Sequence, residues 1–115
     1  MSGKNKSIKF LWENLRSLAF GSIGASYVQA GTNFTNPIVQ LVLYNGTNQD
    51  VFISNDGIND KHYLPSGVSY VIDICANKVS NEGLYPPEYT GIYVKQGPAG
   101  APTNGSVYVT AQYAG

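Results

Sequence analysis

The chain has 115 residues, which is enough for one domain with a modest hydrophobic core. Seven Lys and Arg residues balance seven Asp and Glu residues, and this net charge of zero does not favour a nucleic-acid partner. Charged residues make up 12% of the chain, about half of the usual share, whereas Gly, Asn, Ser, Thr and Tyr are abundant. The composition predicts a turn-rich β-protein whose surface is partly covered by partners.

The N-terminal segment is basic and then apolar. Residues 1–16 carry four cationic side chains against Glu13 alone, and this excess predicts either an interaction arm or a solvated terminus. A secretory signal is not expected, because Glu13, Asn14 and Arg16 interrupt the apolar stretch. No apolar run approaches the length of a membrane span. We therefore expect a chain that is made in the cytoplasm.

Residues 9–21, KFLWENLRSLAFG, are compatible with two structures. Apolar side chains at positions 10, 11, 15 and 18 have the spacing of a short amphipathic helix. The part SLAFGSI could equally begin the first strand. We divide the chain at residue 22, with an N-terminal arm at 1–22, in which a short helix is one alternative, and a β-domain at 23–115.

From residue 36 the apolar pattern has a period of two, as in β-strands. Both faces of the strand in NPIVQLVLYNGTN are apolar, which is typical of a central strand covered on both sides. The turn NGTN followed by DVFIS predicts a hairpin. In SVYVTAQY the residues Val107, Val109 and Ala111 alternate with polar positions. Six to eight short strands predict an all-β, single-domain β-sandwich or jelly-roll-like barrel.

The stretch SNDGINDK, residues 54–61, has two interpretations. Its two Asp and two Asn side chains offer oxygen ligands, and Gly57 permits a sharp turn, so a calcium loop is conceivable. The spacing matches no EF-hand, however, and Asp56-Gly57 after a strand is a strong turn signal. We favour a structural turn and predict no metal site.

No set of catalytic side chains is recognisable in the sequence. The only histidine, His62, lies in a polar stretch without a second base, and Cys75 lies in the apolar run YVIDICAN, where a small buried thiol is expected. Asp73, in the same strand, is expected to hold a neighbouring loop or to point outward. We therefore predict that the chain is not an enzyme and needs no cofactor.

Five short motifs lie within residues 18–115: NGT at a strand end, VFISNDG, LPSG, DICANK and APTNGSVYV. Together they resemble the pattern of small virion structural proteins of tailed bacteriophages. The resemblance implies an all-β protein that works in the virion after synthesis in the host cytoplasm. It implies that the partners are other copies of the chain and capsid, portal or tail proteins. Decoration or cementing of the capsid is the first role, and a head–tail connector, neck or tail component is the alternative.

Two groups of side chains are candidates for the interface with these partners. The N-terminal group is either a set of docking anchors or a part of the domain's own packing; it comprises Phe10, Leu11, Trp12, Leu15 and Leu18. The second group lies around Pro86-Pro87 and comprises Tyr85, Tyr89 and Tyr93. Tyrosines on strands usually pack at the edge of a core, but these three could also form an aromatic platform for sugar. A host-surface carbohydrate-binding module is therefore a further alternative function.

Overall fold

The structure is a computed structural model that describes residues 10–73 and 91–114. Within these ranges the chain forms nine β-strands and one short 3-10 turn at Phe20–Ser22. The strands are β1 (Phe10–Trp12), β2 (Arg16–Ala19), β3 (Val28–Gln29), β4 (Ile38–Asn45), β5 (Val51–Ser54), β6 (His62–Leu64), β7 (Ser69–Asp73), β8 (Tyr93–Gln96) and β9 (Ser106–Ala114). In this part of the chain no helix is long and apolar enough to cross a membrane.

The strands form two antiparallel sheets. The five-stranded sheet has the order β1-β9-β4-β7, with β2 also pairing with β9, and the four-stranded sheet has the order β3-β8-β5-β6. The prediction of an all-β sandwich is confirmed. The described strands number nine rather than six to eight, because both β1 and β2 join the sheet. The finer prediction of a jelly-roll-like barrel stays a prediction.

The core lies between the two sheets. Val107, Val109 and Ala111 of β9 are fully buried, as their alternation predicted. They pack in one cluster with the inward residues of both sheets and with Phe34 from the loop before β4. Burying each of these side chains stabilises the fold by about 1.5–3 kcal/mol for a residue of Val, Leu or Phe size.

Residues 10–12 and 16–19 form strands, so the helix alternative for residues 9–21 is wrong. Burial in β2 alternates with a period of two: Arg16 and Leu18 are buried, whereas Ser17 and Ala19 are exposed. The long β9 offers unpaired backbone groups along one edge, and β1 and β2 pair with successive parts of it. These pairings satisfy the backbone hydrogen bonds that a helix would otherwise supply. The division of the chain at residue 22 stays a prediction.

The predicted hairpin between DVFIS and the preceding strand is also wrong, because β4 and β5 belong to different sheets. Between them the chain crosses from one sheet to the other around the fully buried Asn45. Its amide Nδ2 donates to the carbonyl oxygens of Gln49 (2.8 Å) and Leu64 (3.0 Å). Its Oδ1 accepts from the backbone N and Oγ1 of Thr47. The Asn45 side chain thus holds the crossing between the two sheets, whereas the motif NGT alone predicts a tight turn.

Candidate interaction surfaces

A buried ion pair holds the link between β1 and β2. The Glu13 and Arg16 side chains are only 4% and 7% exposed, and an N–O distance of 2.7 Å joins them. Arg16 also donates to the carbonyl oxygens of Thr32 (2.7 Å) and Asn33 (2.9 Å). Its guanidinium lies 4.7 Å from the centroid of the Phe34 ring. The pair therefore fastens the link to the loop that precedes β4.

Glu13 completes this attachment through its second oxygen. Oε2 accepts hydrogen bonds from the backbone and side chains of Thr35 and Asn36, at 2.8–3.2 Å. Burial opposes the charge of the carboxylate, but hydrogen bonds from Asn36, Arg16 and Thr35 outweigh it and hold the pKa of Glu13 below its usual value. Gly31, at φ +77°, lies so close that an added Cβ would be 2.7 Å from Cγ of Arg16. The link is therefore packed closely against the 31–36 loop.

Two large apolar side chains, one in this link and one beside it, are exposed. Trp12 and Leu15 are each 63% exposed, and we call these two residues the apolar corner. Leu11 is also exposed, but it pairs with Tyr113 of β9, so its side chain lies on the opposite face of the sheet from Trp12. Trp12 and Leu15 border an open cleft of about 580 Å³, which the Glu13–Arg16 pair and the 31–36 loop also line. Because the neighbouring link is fastened to the 31–36 loop, little backbone freedom would be lost at Trp12 on docking, and Trp is a residue type favoured as an interface anchor.

The outer face of the five-stranded sheet is almost free of charge. We call it the uncharged face and define it by the outward positions of β2, β4, β7 and β9 in the observed register. All are exposed or half-buried. They are Ser17, Ala19, Gln40, Val42, Tyr44, Ser69, Val71, Asp73, Ser106, Tyr108, Thr110 and Gln112.

The sequence predicted that β4 would be covered on both sides, but the described residues place Val42 and Tyr44 on a face open to solvent. Trp12 of the apolar corner adjoins this face, because it pairs with Gln112. The apolar corner and the uncharged face are thus continuous.

The stretch SNDGINDK forms the loop of the β5–β6 hairpin, as the turn interpretation predicted. Asp56 Oδ1 accepts from Ser54 Oγ (2.6 Å) and from the backbone N of Ile58 and Asn59 (2.8 and 2.9 Å). These bonds, with that from Ser54 the strongest, hold the pKa of Asp56 far below its usual value. Asp60 instead points to another part of the sheet, where Tyr27 Oη donates to it at 2.5 Å.

Asp56 therefore binds groups within the hairpin loop, whereas Asp60 binds Tyr27 outside it. Within the described ranges no group of three His, Cys, Asp or Glu side chains could hold a metal ion. The only histidine, His62, stacks on Tyr70 with ring centroids 3.8 Å apart. Both rings line an apolar cavity of about 340 Å³ between the sheets.

The predicted N-terminal interface residues separate into three environments. Trp12 and Leu15 form the apolar corner, Leu11 is exposed on the opposite face of β1, and Leu18 lies in the core, as the packing alternative for these side chains predicted. The backbone of Phe10 pairs with Ala114 of β9. Part of the predicted set is therefore brought together at the surface and part is not.

The predicted tyrosine cluster is only partly described. Tyr85 and Tyr89 lie outside the described residues, as does Cys75. Tyr93, in β8, is half-buried, and the turn at Gly57 lies over its ring, because a Cβ added at Gly57 would be 3.2 Å from it. One face of the Tyr93 ring is therefore covered by the β5–β6 hairpin loop of the same chain.

Sequence reasoning missed two parts of these surfaces. Glu13 and Arg16 were interpreted as interruptions of an apolar stretch, although an acid and a base three positions apart is a signal for an ion pair. Tyr108 lies among the positions of β9 that the alternation assigns to its polar side, and Tyr44 lies on the strand predicted to be covered on both sides. The signal that could have found them is the absence of Lys, Arg and Glu from both strands.

These features define the class: a small all-β sandwich with an exposed apolar corner and an uncharged sheet face. No protein-family model, no curated protein and no solved structure matches the chain. The inference of function therefore depends on the geometry of the surfaces and on the resemblance of the sequence motifs.

Proposed function

We propose that the chain is a non-enzymatic structural protein of a tailed-bacteriophage virion, which decorates or cements the capsid. The motifs in residues 18–115 that resemble small virion proteins support this role. The observation that carries it is the apolar corner. Trp12 and Leu15 are exposed to solvent, yet the buried Glu13–Arg16 pair between them fastens this part of the chain to residues 32–36.

Burial of the apolar corner against a shell protein supplies the binding energy. Covering a large apolar side chain is worth about 1.5–3 kcal/mol, so Trp12 and Leu15 together support a modest contact per copy. Many copies on a symmetric particle add such contacts, which is how a decorating protein stabilises a shell without an active site. A head–tail connector, neck or tail component would use the same corner against a portal or tail protein.

The charged groups near the corner favour a structural role over a chemical one. Four hydrogen bonds occupy Oε2 of Glu13, and Arg16 is bound to three carbonyl oxygens as well as to Glu13. Such saturated groups position the backbone, whereas a catalytic acid or base needs a lone pair or proton free for substrate. The pair is therefore assigned to holding Trp12 and Leu15.

The test is incorporation into particles of the phage whose genome encodes the chain. Quantitative mass spectrometry of purified virions should find the wild-type chain at a constant copy number. Trp12→Ser should fold with an unchanged melting temperature but occupy the particle at least about tenfold less well, since each 1.4 kcal/mol of lost affinity is a factor of ten. Ile58→Ser is the matched control, because Ile58 is 78% exposed in the β5–β6 loop, away from the corner.

Two results would overturn the proposal. One is absence of the chain from purified particles, and the other is equal occupancy by the Trp12→Ser and wild-type proteins. Binding of the isolated protein to host-surface glycans, together with its absence from particles, would instead support the carbohydrate-binding alternative.

A further inference from the structure

We infer that the uncharged face is a self-association surface, on which the same face of a second copy packs to form a two-fold symmetric dimer. The inference rests on the proposed function in that an assembling protein needs contacts between its copies. It goes further by assigning that contact to one face of one sheet. The apolar corner remains available for contact with the capsid.

The centre of this face carries exposed rings and a β-branched side chain. Tyr44 of β4 and Tyr108 of β9 are 40% and 38% exposed, and their rings stack with centroids 6.3 Å apart and an interplanar angle of 17°. Val71, on the neighbouring β7, is 54% exposed. Both tyrosines lie on the two central strands, so the apolar area is in the middle of the face and the polar Ser and Gln side chains lie around it.

The charge distribution favours the chain's own copy as the occupant. In a two-fold contact each residue faces the same patch on the partner, so any cluster of like charges would repel itself. The outward positions of this face carry no Lys, Arg or Glu, and Asp73 lies at one corner, at the end of β7. The same lack of charge leaves nothing to complement a strongly acidic or basic partner.

The area of the face limits the dimer to a weak one. Strands lie about 4.8 Å apart and rise about 3.3 Å per residue, so the four strands that define the face present roughly 400 Å² of sheet per copy. Two copies would bury roughly 800 Å², which is the size of a weak or transient contact rather than a stable one. Two twisted sheets can pack face to face in this way, with interdigitating side chains, as in a sandwich. We therefore expect dissociation constants in the micromolar range or weaker.

The test is sedimentation velocity on the full chain from micromolar to millimolar concentration. The wild-type protein should shift from monomer to dimer across this series. Tyr108→Lys and Tyr108→Asp should each remain monomeric, because two copies would place like charges in an apolar contact. Ile58→Lys, the same kind of change outside the face, should dimerise as the wild type does. Melting curves verify that each variant is folded, and Val71→Lys provides a second position on the face.

Mixing the Tyr108→Lys and Tyr108→Asp proteins identifies the occupant. A heterodimer in the mixture supports a face-to-face contact between copies. A wild-type protein that is monomeric at millimolar concentration, variants that dimerise as well as the wild type, or a mixture without heterodimer would each overturn the inference.

Failure of the inference is distinguishable from failure of the proposed function. A chain that dimerises in solution but is absent from particles retains the inference and loses the virion role. A chain that is present in particles but monomeric in solution, with full occupancy by Tyr108→Lys, retains the virion role and loses the inference.

Discussion

The outer faces of the two sheets differ in what contacts their aromatic rings. On the four-stranded sheet, Lys95 Nζ lies 4.9 Å from the Tyr27 ring centroid and 5.5 Å from that of Phe52, and it also pairs with Asp60 at 2.9 Å. On the five-stranded sheet, Tyr44 and Tyr108 stack on each other with ring centroids 6.3 Å apart, and no ion pair or cation–π contact among the described residues involves them. The first face satisfies its polar groups internally, whereas the second leaves apolar area for another molecule.

The electrostatics of the four-stranded face reinforce this difference. Hydrogen bonds from Tyr27 and Lys95 hold the pKa of Asp60 below its usual value. Burial and the neighbouring Asp60 raise the pKa of Tyr27. Tyr63 likewise donates to Asp50, and this bond lowers the pKa of that carboxyl. A docking partner would have to break these pairs, so the comparison favours the five-stranded sheet as the interaction side.

The largest loss of unfolding free energy is expected from Glu13→Ala, in the link between β1 and β2 of the five-stranded sheet. The change leaves Arg16 buried without its partner, and breaking a buried pair in this way costs about 3–5 kcal/mol. Urea denaturation measures the loss of unfolding free energy. Asn14→Ala is the matched control, because the exposed Asn14 side chain lies in the same link and only its backbone oxygen binds Arg16. Equal stability of the two variants would show that the pair does not hold the corner.

Acid titration gives a second measurement of the same pair. The native pKa of Glu13 lies below its unfolded value, so its stabilisation is complete above the unfolded pKa of about 4.3 and is lost as the pH falls through the native pKa. Glu13→Gln should therefore be less stable at neutral pH and should lose less stability on acidification. If the stability of Glu13→Gln fell with pH as steeply as that of the wild type below about pH 4.3, the stabilising charge would not be that of Glu13.

An intermediate effect is expected on the other side, from Gly57→Val. Gly57 has φ +73°, where a β-branched residue is strained, and its added Cβ would lie 3.2 Å from the Tyr93 ring. The loss should be about 1–3 kcal/mol. Gly24→Ala is the control, since Gly24 has no atom within 4 Å of an added Cβ. An unchanged melting temperature for Gly57→Val would remove the turn assignment.

The smallest effect is expected from Lys95→Met on the four-stranded face. Lys95 is 24% exposed and contacts two rings and a carboxylate, whereas Lys61 is 52% exposed and lies 3.8 Å from Asp56. Lys95→Met should lower the melting temperature slightly more than Lys61→Met, and added salt should reduce the difference. If Lys95→Met instead promotes self-association, the four-stranded face would compete with the uncharged face as the contact.

The sequence was sufficient for the features that depend on local chemistry. Alternation in β9 identified its buried side, and Asp56-Gly57 identified the hairpin loop, because each signal lies within a few residues. The partner of a strand depends on residues far away. The crossing at Asn45 is set by its bond to Leu64, nineteen positions later, so NGT was indistinguishable from a tight turn.

The candidate surfaces show the same limit. Trp12 and Leu15 were predicted as candidate interface residues, and the structure leaves 63% of each side chain exposed. Their fixed position depends on contacts with residues 32–36, which no spacing rule predicts. Apolar residues on both sides of β4 predicted burial, yet only the arrangement of the sheets shows which side is open.

The pairing of β1 and β2 with β9 also has a consequence for the time course of folding. These strands leave the ribosome about 90 residues before β9 does, which at typical synthesis rates is roughly 5–20 seconds. During that interval Leu18 and the apolar corner have no strand beside them. Folding of the five-stranded sheet is therefore expected to follow synthesis of β9, at the slow rates of proteins with many non-local contacts. Several nascent chains lie close together on one messenger RNA, and each exposes its unpaired strands β1 and β2 during this interval. These strands are therefore the ones most open to pairing with another chain.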